Sequence, residues 1–120
     1  MSVNNIIDFA HAHTEAERYR PAEEKIISGD CEQTVYNHYE SPCGRFASGV
    51  WEGGVGHWRV HYTEHEYCEI LAGVSVLHDE AGGSKTLRAG DRFVIPAGFR
   101  GSWEVVEPCR KIYALFEAQG

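Results

Sequence analysis

The stretch from His57 to Gly73, HWRVHYTEHEYCEILAG, alternates in character residue by residue, and this period of two is the strongest constraint on the fold. An amphipathic helix would need a period near 3.6. Read as two strands around a polar break at Thr63 and Glu64, the stretch sets His57, Arg59 and His61 on one face and Trp58, Val60 and Tyr62 on the other. The ionisable row is expected to line a pocket. From His65 to Ala72 the alternation continues with Glu66, Cys68 and Ile70 on a shared face, so a carboxylate meets the polar row across the hairpin. The apolar row would then face outward. Such a row is too apolar for the surface of a soluble monomer, so a partner subunit or the N-terminal segment is expected to cover it. A symmetric homodimer is the expected assembly.

The remaining chain reads the same way. EKIIS, QTVYNHYES, RFASGVWE, VSVLHDE, SKTLRAG, RFVIP, SWEVVE and CRKIYALFE are short β-prone runs separated by glycine and proline turns, which adds up to about ten strands. Thirteen glycines supply the turns. Pro108 is read as the end of the SWEVVE strand. A length of 120 residues suits one domain, with residues 1–25 as an arm packed on a barrel formed by residues 26–120. In the arm, Ile6, Ile7 and Phe9 are expected to touch the barrel, and HTEAERYR to form a short helix or an ordered extension before Pro21.

Eleven basic against eighteen acidic residues give a formal charge of −7, which disfavours nucleic acid and anionic membranes as partners. No apolar run approaches the roughly 20 residues that span a bilayer, and MSVNNIIDFAHAH lacks a basic start and an apolar core. A cytoplasmic protein is expected. Cys31, Cys43, Cys68 and Cys109 have no CxxC pairing and are read as free thiols.

Two spacings carry a family resemblance: Glu66, six residues, Gly73; and Gly90, five residues, Pro96, one residue, Gly98. They resemble the paired signature of the cupins, small all-β jelly-roll barrels of the RmlC-like kind. More specifically, GVWEGGVGHWRVHYTEHEYCEILAG with GDRFVIPAGFRGSWEVVEPCRKIYALFE resembles the ureidoglycine-aminohydrolase-type cupin domain, a branch that includes the ethanolamine-utilisation cupins. The resemblance implies the fold with an N-terminal arm, and it leaves the activity open.

In metal-binding cupins the signature supplies two histidines one residue apart, a glutamate and a further histidine. The corresponding places here hold Arg59, His61, Glu66 and Gly101. Two of four ligands remain, and a guanidinium repels a cation. The cavity is therefore expected to lack a resident metal. Were a divalent ion (Mn, Zn, Ni or Fe) present, His61 and Glu66 would be its ligands, with His65 or water completing the set. Without metal, Glu66 and His61 are the catalytic candidates, and Arg59, Trp103, Lys111 and Tyr113 the substrate-binding ones. Arg59 is expected to pair with Glu66, while His57, His65 and His78 are read as surface groups.

The expected ligand is a compact polar metabolite with a carboxylate, ureido or amine group. Aminohydrolase-like chemistry is one reading of the site. A non-catalytic binding or assembly module is the second, and a metal-dependent cupin enzyme the third.

Overall fold

The computed structural model describes residues 1–118 and is all-β, with no α-helix among them. Among the described residues there are nine strands, with one short 3-10 turn at Val3–Asn5 before the first and another at Glu23–Lys25 between the first and second: β1 (Glu17–Tyr19), β2 (Ile26–Gly29), β3 (Gln33–Glu40), β4 (Phe46–Gly53), β5 (Gly56–His61), β6 (His65–Asp79), β7 (Ser84–Arg88), β8 (Arg92–Ile95) and β9 (Arg100–Phe116). Every pairing is antiparallel. No helix among the described residues is long and apolar enough to cross a membrane.

β9 is the spine of the sheet. One of its edges carries β5 beside residues 100–105 and β4 beside residues 109–116, while β6 follows the other edge along most of its length. β3 and β1 extend the sheet beyond β4, β2 extends it beyond β5, and β7 and β8 hang on β6. The sheet curls into a half-barrel whose concave side holds the core.

β6 and β9 are each longer than the sequence pattern suggested. The expected breaks after Ala72 and at Pro108 are bends inside continuous strands, because the two irregularities face each other. The register shifts between Ala72 and Val74, opposite Arg110 and Glu107. Proline can sit there because a bulge does not require its missing N–H. Gly73 has φ +83, and a Cβ on it would collide with the Pro108 carbonyl. Only glycine serves both demands.

The core is built around three indoles. Trp51 of β4 lies 5.7 Å from Trp103 of β9 in an edge-to-face arrangement and 6.3 Å from Trp58 of β5. Ile70, Leu87, Ile95, Val105 and Cys68 pack around them. Each buried aliphatic side chain contributes roughly 1.5–3 kcal/mol of transfer free energy.

This core reverses the expected facing of β5. Trp58 is 5% exposed and Val60 and Tyr62 pack on the core, whereas Arg59 and His61 are exposed. Alternation fixes which residues share a face but not which face is inside, and the larger apolar area goes inward. The apolar row that was expected to need a partner subunit or the N-terminal segment to cover it is thus covered within the protein itself, where Tyr19 of the N-terminal segment shares its cavity.

Within the N-terminal segment, β1 adds a strand to the edge of β3, with Glu17 opposite Val35. The HTEAERYR run contains no helix. Phe9 packs against His38 with the rings tilted at 43° and their centres 4.6 Å apart, and Thr14 Oγ1 lies 2.7 Å from His38 Nδ1. Ile6 and Ile7 remain exposed, because their turn lies clear of the sheet. All four cysteines are free, and Cys31, Cys68 and Cys109 are buried.

The bend at Gly73 gives a stability test. Gly73→Ala combines a left-handed backbone with a carbonyl clash and should cost about 2–3 kcal/mol or more in urea denaturation. Gly82→Ala, at φ +90 with nothing within 4 Å of its Cβ position, should cost clearly less.

Candidate functional site

β9 sends Trp103, Lys111, Tyr113 and Leu115 to the concave side, and β6 sends Glu66 and Cys68. Lys111 Nζ donates to Glu66 Oε2 at 2.7 Å, with the two residues 5% and 8% exposed. The ammonium also lies 4.4 Å from the ring centre of Trp103 and 4.8 Å from that of Trp51. Aromatic faces and a carboxylate together replace the water that a lysine loses on burial.

These neighbours decide protonation. Burial pulls the Lys111 pKa down, but attraction to the Glu66 carboxylate outweighs it and holds the value above that of an ordinary lysine. Lys111 is therefore a fixed cation. Burial pushes up the Cys68 thiol, which stays neutral and donates to Glu66 Oε2 at 3.0 Å. The phenols of Tyr62 and Tyr113 are likewise pushed up by burial. Neither thiolate nor phenolate is available as a base at neutral pH.

Around this pair lies a cavity of about 410 Å³, within the ordinary size range of small-molecule sites. Trp51, Trp58 and Trp103 form its aromatic walls. Trp51 Nε1 donates to Gln33 Oε1 at 3.0 Å and Tyr113 Oη to Asn37 Oδ1 at 2.7 Å, leaving both amide NH₂ groups as donors. Trp103 Nε1 is buried and has no acceptor among the described residues. Glu17 and Tyr19 of β1 complete one side, and Glu40 and Glu64 add carboxyl groups toward the rim. The Glu64 carboxyl is pushed up by burial and by the nearby charges of Glu117 and Glu66.

Of the residues singled out in the sequence, Glu66, Trp103, Lys111 and Tyr113 meet in this cavity. Arg59 and His61 do not line it; they border a shallower groove beside it. The expected Arg59–Glu66 pair is replaced by Lys111–Glu66, while the Arg59 guanidinium reaches the Glu24 carbonyl at 3.4 Å. His65 is exposed, accepts the Ala97 N–H at 3.1 Å and stacks on Phe116.

The residues facing the cavity do not fit the metal centre of metal-binding cupins. On the inward face, the HxH spacing before Glu66 is occupied by Val60 and Tyr62, neither of which is a suitable ligand. His61, the second histidine place in the sequence, has the outward parity. Gly101 cannot be exchanged for a larger ligand because its Cβ position collides with the His78 carbonyl. Glu66, the carboxylate at the family's glutamate place, is already held by an ammonium. A cation would meet repulsion there and too few donors.

Sequence reasoning missed Trp51, Trp58, Tyr62, Gln33 and Asn37 as cavity residues. The apolar row of β5 was itself the available signal.

A curled antiparallel sheet enclosing this kind of cavity defines the cupin class. Within it, the family model described as the EutQ-like cupin domain matches residues 40–113, and the chain belongs to that family. A DUF861 family protein from Thermotoga maritima is 37% identical over 56% of this chain and 76% of its own, with a TM-score of 0.54. EutQ from Clostridium difficile is 17% identical, with a TM-score of 0.67 over 85% of this chain and 83% of its own. A Pseudomonas syringae pv. tomato protein of unknown function is 24% identical, with a TM-score of 0.76 over 86% of this chain. This chain spans only 45% of that protein's length. The last two likenesses bear on fold alone. No curated protein matches.

The buried pair should show its coupling in denaturation. Lys111→Met leaves the Glu66 carboxylate unpartnered and should cost about 3–5 kcal/mol near neutral pH. The double variant Lys111→Met, Glu66→Gln should recover much of that loss. A single-variant loss below about 1 kcal/mol would contradict the pairing.

Proposed function

We propose that this chain is a small-molecule-binding cupin whose cavity takes a compact polar metabolite bearing a ureido, amide or amine group. The observation that carries the reading is the Lys111–Glu66 pair facing a cavity of about 410 Å³. It offers a charged donor beside a carboxylate acceptor, which complements the C=O and N–H of a ureido or amide group. The Gln33 and Asn37 amides add donors, and the indole walls suit a planar group. Glu17, Glu40, Glu64 and Glu66 outnumber the single ammonium, so a ligand with only carboxylate groups is disfavoured against one bearing N–H or amine.

Binding is better supported than turnover. For aminohydrolase-like chemistry Glu66 would have to take a proton from water while Lys111 held the developing oxyanion, but its Oε2 already accepts from Lys111 and Cys68. The non-catalytic module is therefore the preferred form of the proposal. The four free cysteines suit a reducing cytoplasm, the compartment assigned here.

Assembly as a homodimer belongs to the same proposal, now through the convex face. There Tyr67 lies opposite Val94 and Ala114, and Phe46 opposite Phe116, with Tyr67, Val94, Phe46 and Phe116 all exposed. Sedimentation velocity at micromolar concentration should show a dimer, weakened by Tyr67→Lys with Val94→Lys. A single 13.5 kDa species throughout would defeat this arrangement.

Binding is tested by calorimetry against a panel of small ureido, amide, amine and carboxylate compounds. A ureido or amine compound should bind, with affinity falling at least tenfold in Glu66→Gln and little changed in Arg59→Ala. Absence of binding across the panel, or binding indifferent to Glu66, would remove the proposal's basis.

A further inference from the structure

On the convex side of the same sheet, facing away from the cavity, three potential ligands converge from three adjacent strands. His57 of β5 lies directly opposite Glu104 of β9, and His78 of β6 lies opposite Ser102. The chain neighbours of these residues, Trp58, Trp103 and Leu77, form the cross-strand row turned toward the core. One ligand atom from each of His57, His78 and Glu104 lies within 4.8 Å of the other two. All three side chains are half-buried. We propose that this cluster is a divalent transition-metal site, with His57, His78 and Glu104 as its protein ligands.

The chemistry of the set supports this assignment. Two imidazoles and a carboxylate match zinc and its first-row neighbours, and three protein ligands leave a position for water. Ligand atoms in a tetrahedral zinc site stand about 3.3 Å apart, given bonds near 2.0 Å. His78 Nε2 and Glu104 Oε1 stand 3.0 Å apart, close to that spacing, and the His57 ligand atom lies within 4.8 Å of its two counterparts. The strands supply the rigidity: β9 is held on both sides here, by β5 and by β6, so the three Cα positions are fixed by the sheet ladder.

The polar partners already orient the rings. His78 Nε2 lies 3.0 Å from Glu104 Oε1, and His57 Nε2 lies 2.7 Å from Ser102 Oγ. A hydrogen-bonded His78–Glu104 pair by itself would not require the second imidazole, yet the two rings stand 5.1 Å apart. Arg59, two residues along β5 from His57, has its guanidinium directed to the Glu24 carbonyl beside β2. The site does not depend on the cavity or on its ligand.

The test uses untagged, chelator-treated full-length protein titrated with Zn²⁺ and, separately, Co²⁺. One equivalent of Zn²⁺ should bind. The Co²⁺ form should show the visible absorption of a low-symmetry four- or five-coordinate ion without the near-ultraviolet thiolate band that cysteine ligands would give. His78→Gln and Glu104→Gln should each weaken Zn²⁺ binding at least tenfold while the Lys111–Glu66 cavity keeps its ligand affinity. Should His57→Gln disturb the sheet, the half-exposed Glu104→Gln still removes one ligand at a position where the backbone ladder is unaffected. A thiolate band, binding below one equivalent, or affinity unchanged in both His78→Gln and Glu104→Gln would overturn the assignment.

Discussion

The β6–β9 ladder is the constraint on which the rest of this protein depends. A strand of seventeen residues can contact both β4 and β5 on one edge only if it bends, and β6 must bend with it on the other. Gly73 and Pro108 provide that shared bend from opposite sides, one by accepting a left-handed backbone and the other by not needing an N–H. A flat pair would splay the β4 and β5 neighbours apart and leave no cavity. With the bend, Trp51, Trp58 and Trp103 close into one aromatic wall.

The bend also makes a buried charge possible. Lys111 reaches Glu66 from the neighbouring strand within a concave surface roofed by indoles. An ammonium removed from water costs several kcal/mol even after the protein relaxes, and a partnerless one would simply lose its proton. Here the carboxylate and two ring faces hold it charged. The same arrangement disqualifies the cavity as a cation site, so the two proposed functions are separated by the thickness of one sheet: polar ligand recognition inside, metal coordination outside.

Much of the fold was legible in the sequence because its signals are local. Period-two alternation, paired glycines and the two cupin-like spacings give an all-β barrel without long-range information. That Glu66, Trp103, Lys111 and Tyr113 face one cavity was also legible, Glu66 through its parity with Cys68, Trp103 and Tyr113 through the cupin resemblance, and Lys111 through its parity with Tyr113. The length of β6 and β9 was not, because Gly73 and Pro108 read locally as terminators and act as bends only when they face each other.

What the chain determined by itself was which residues travel together: His57 with Arg59 and His61, Trp58 with Val60 and Tyr62, Lys111 with Tyr113. Tertiary structure alone decided which of these groups lies inside. Alternation is symmetric under exchange of the two faces, and only the competition to bury area breaks the tie. Indole, isopropyl and phenol won the interior of β5, so Glu66 received Lys111 as its partner, and His57 met His78 and Glu104 on the far side through strands distant in sequence.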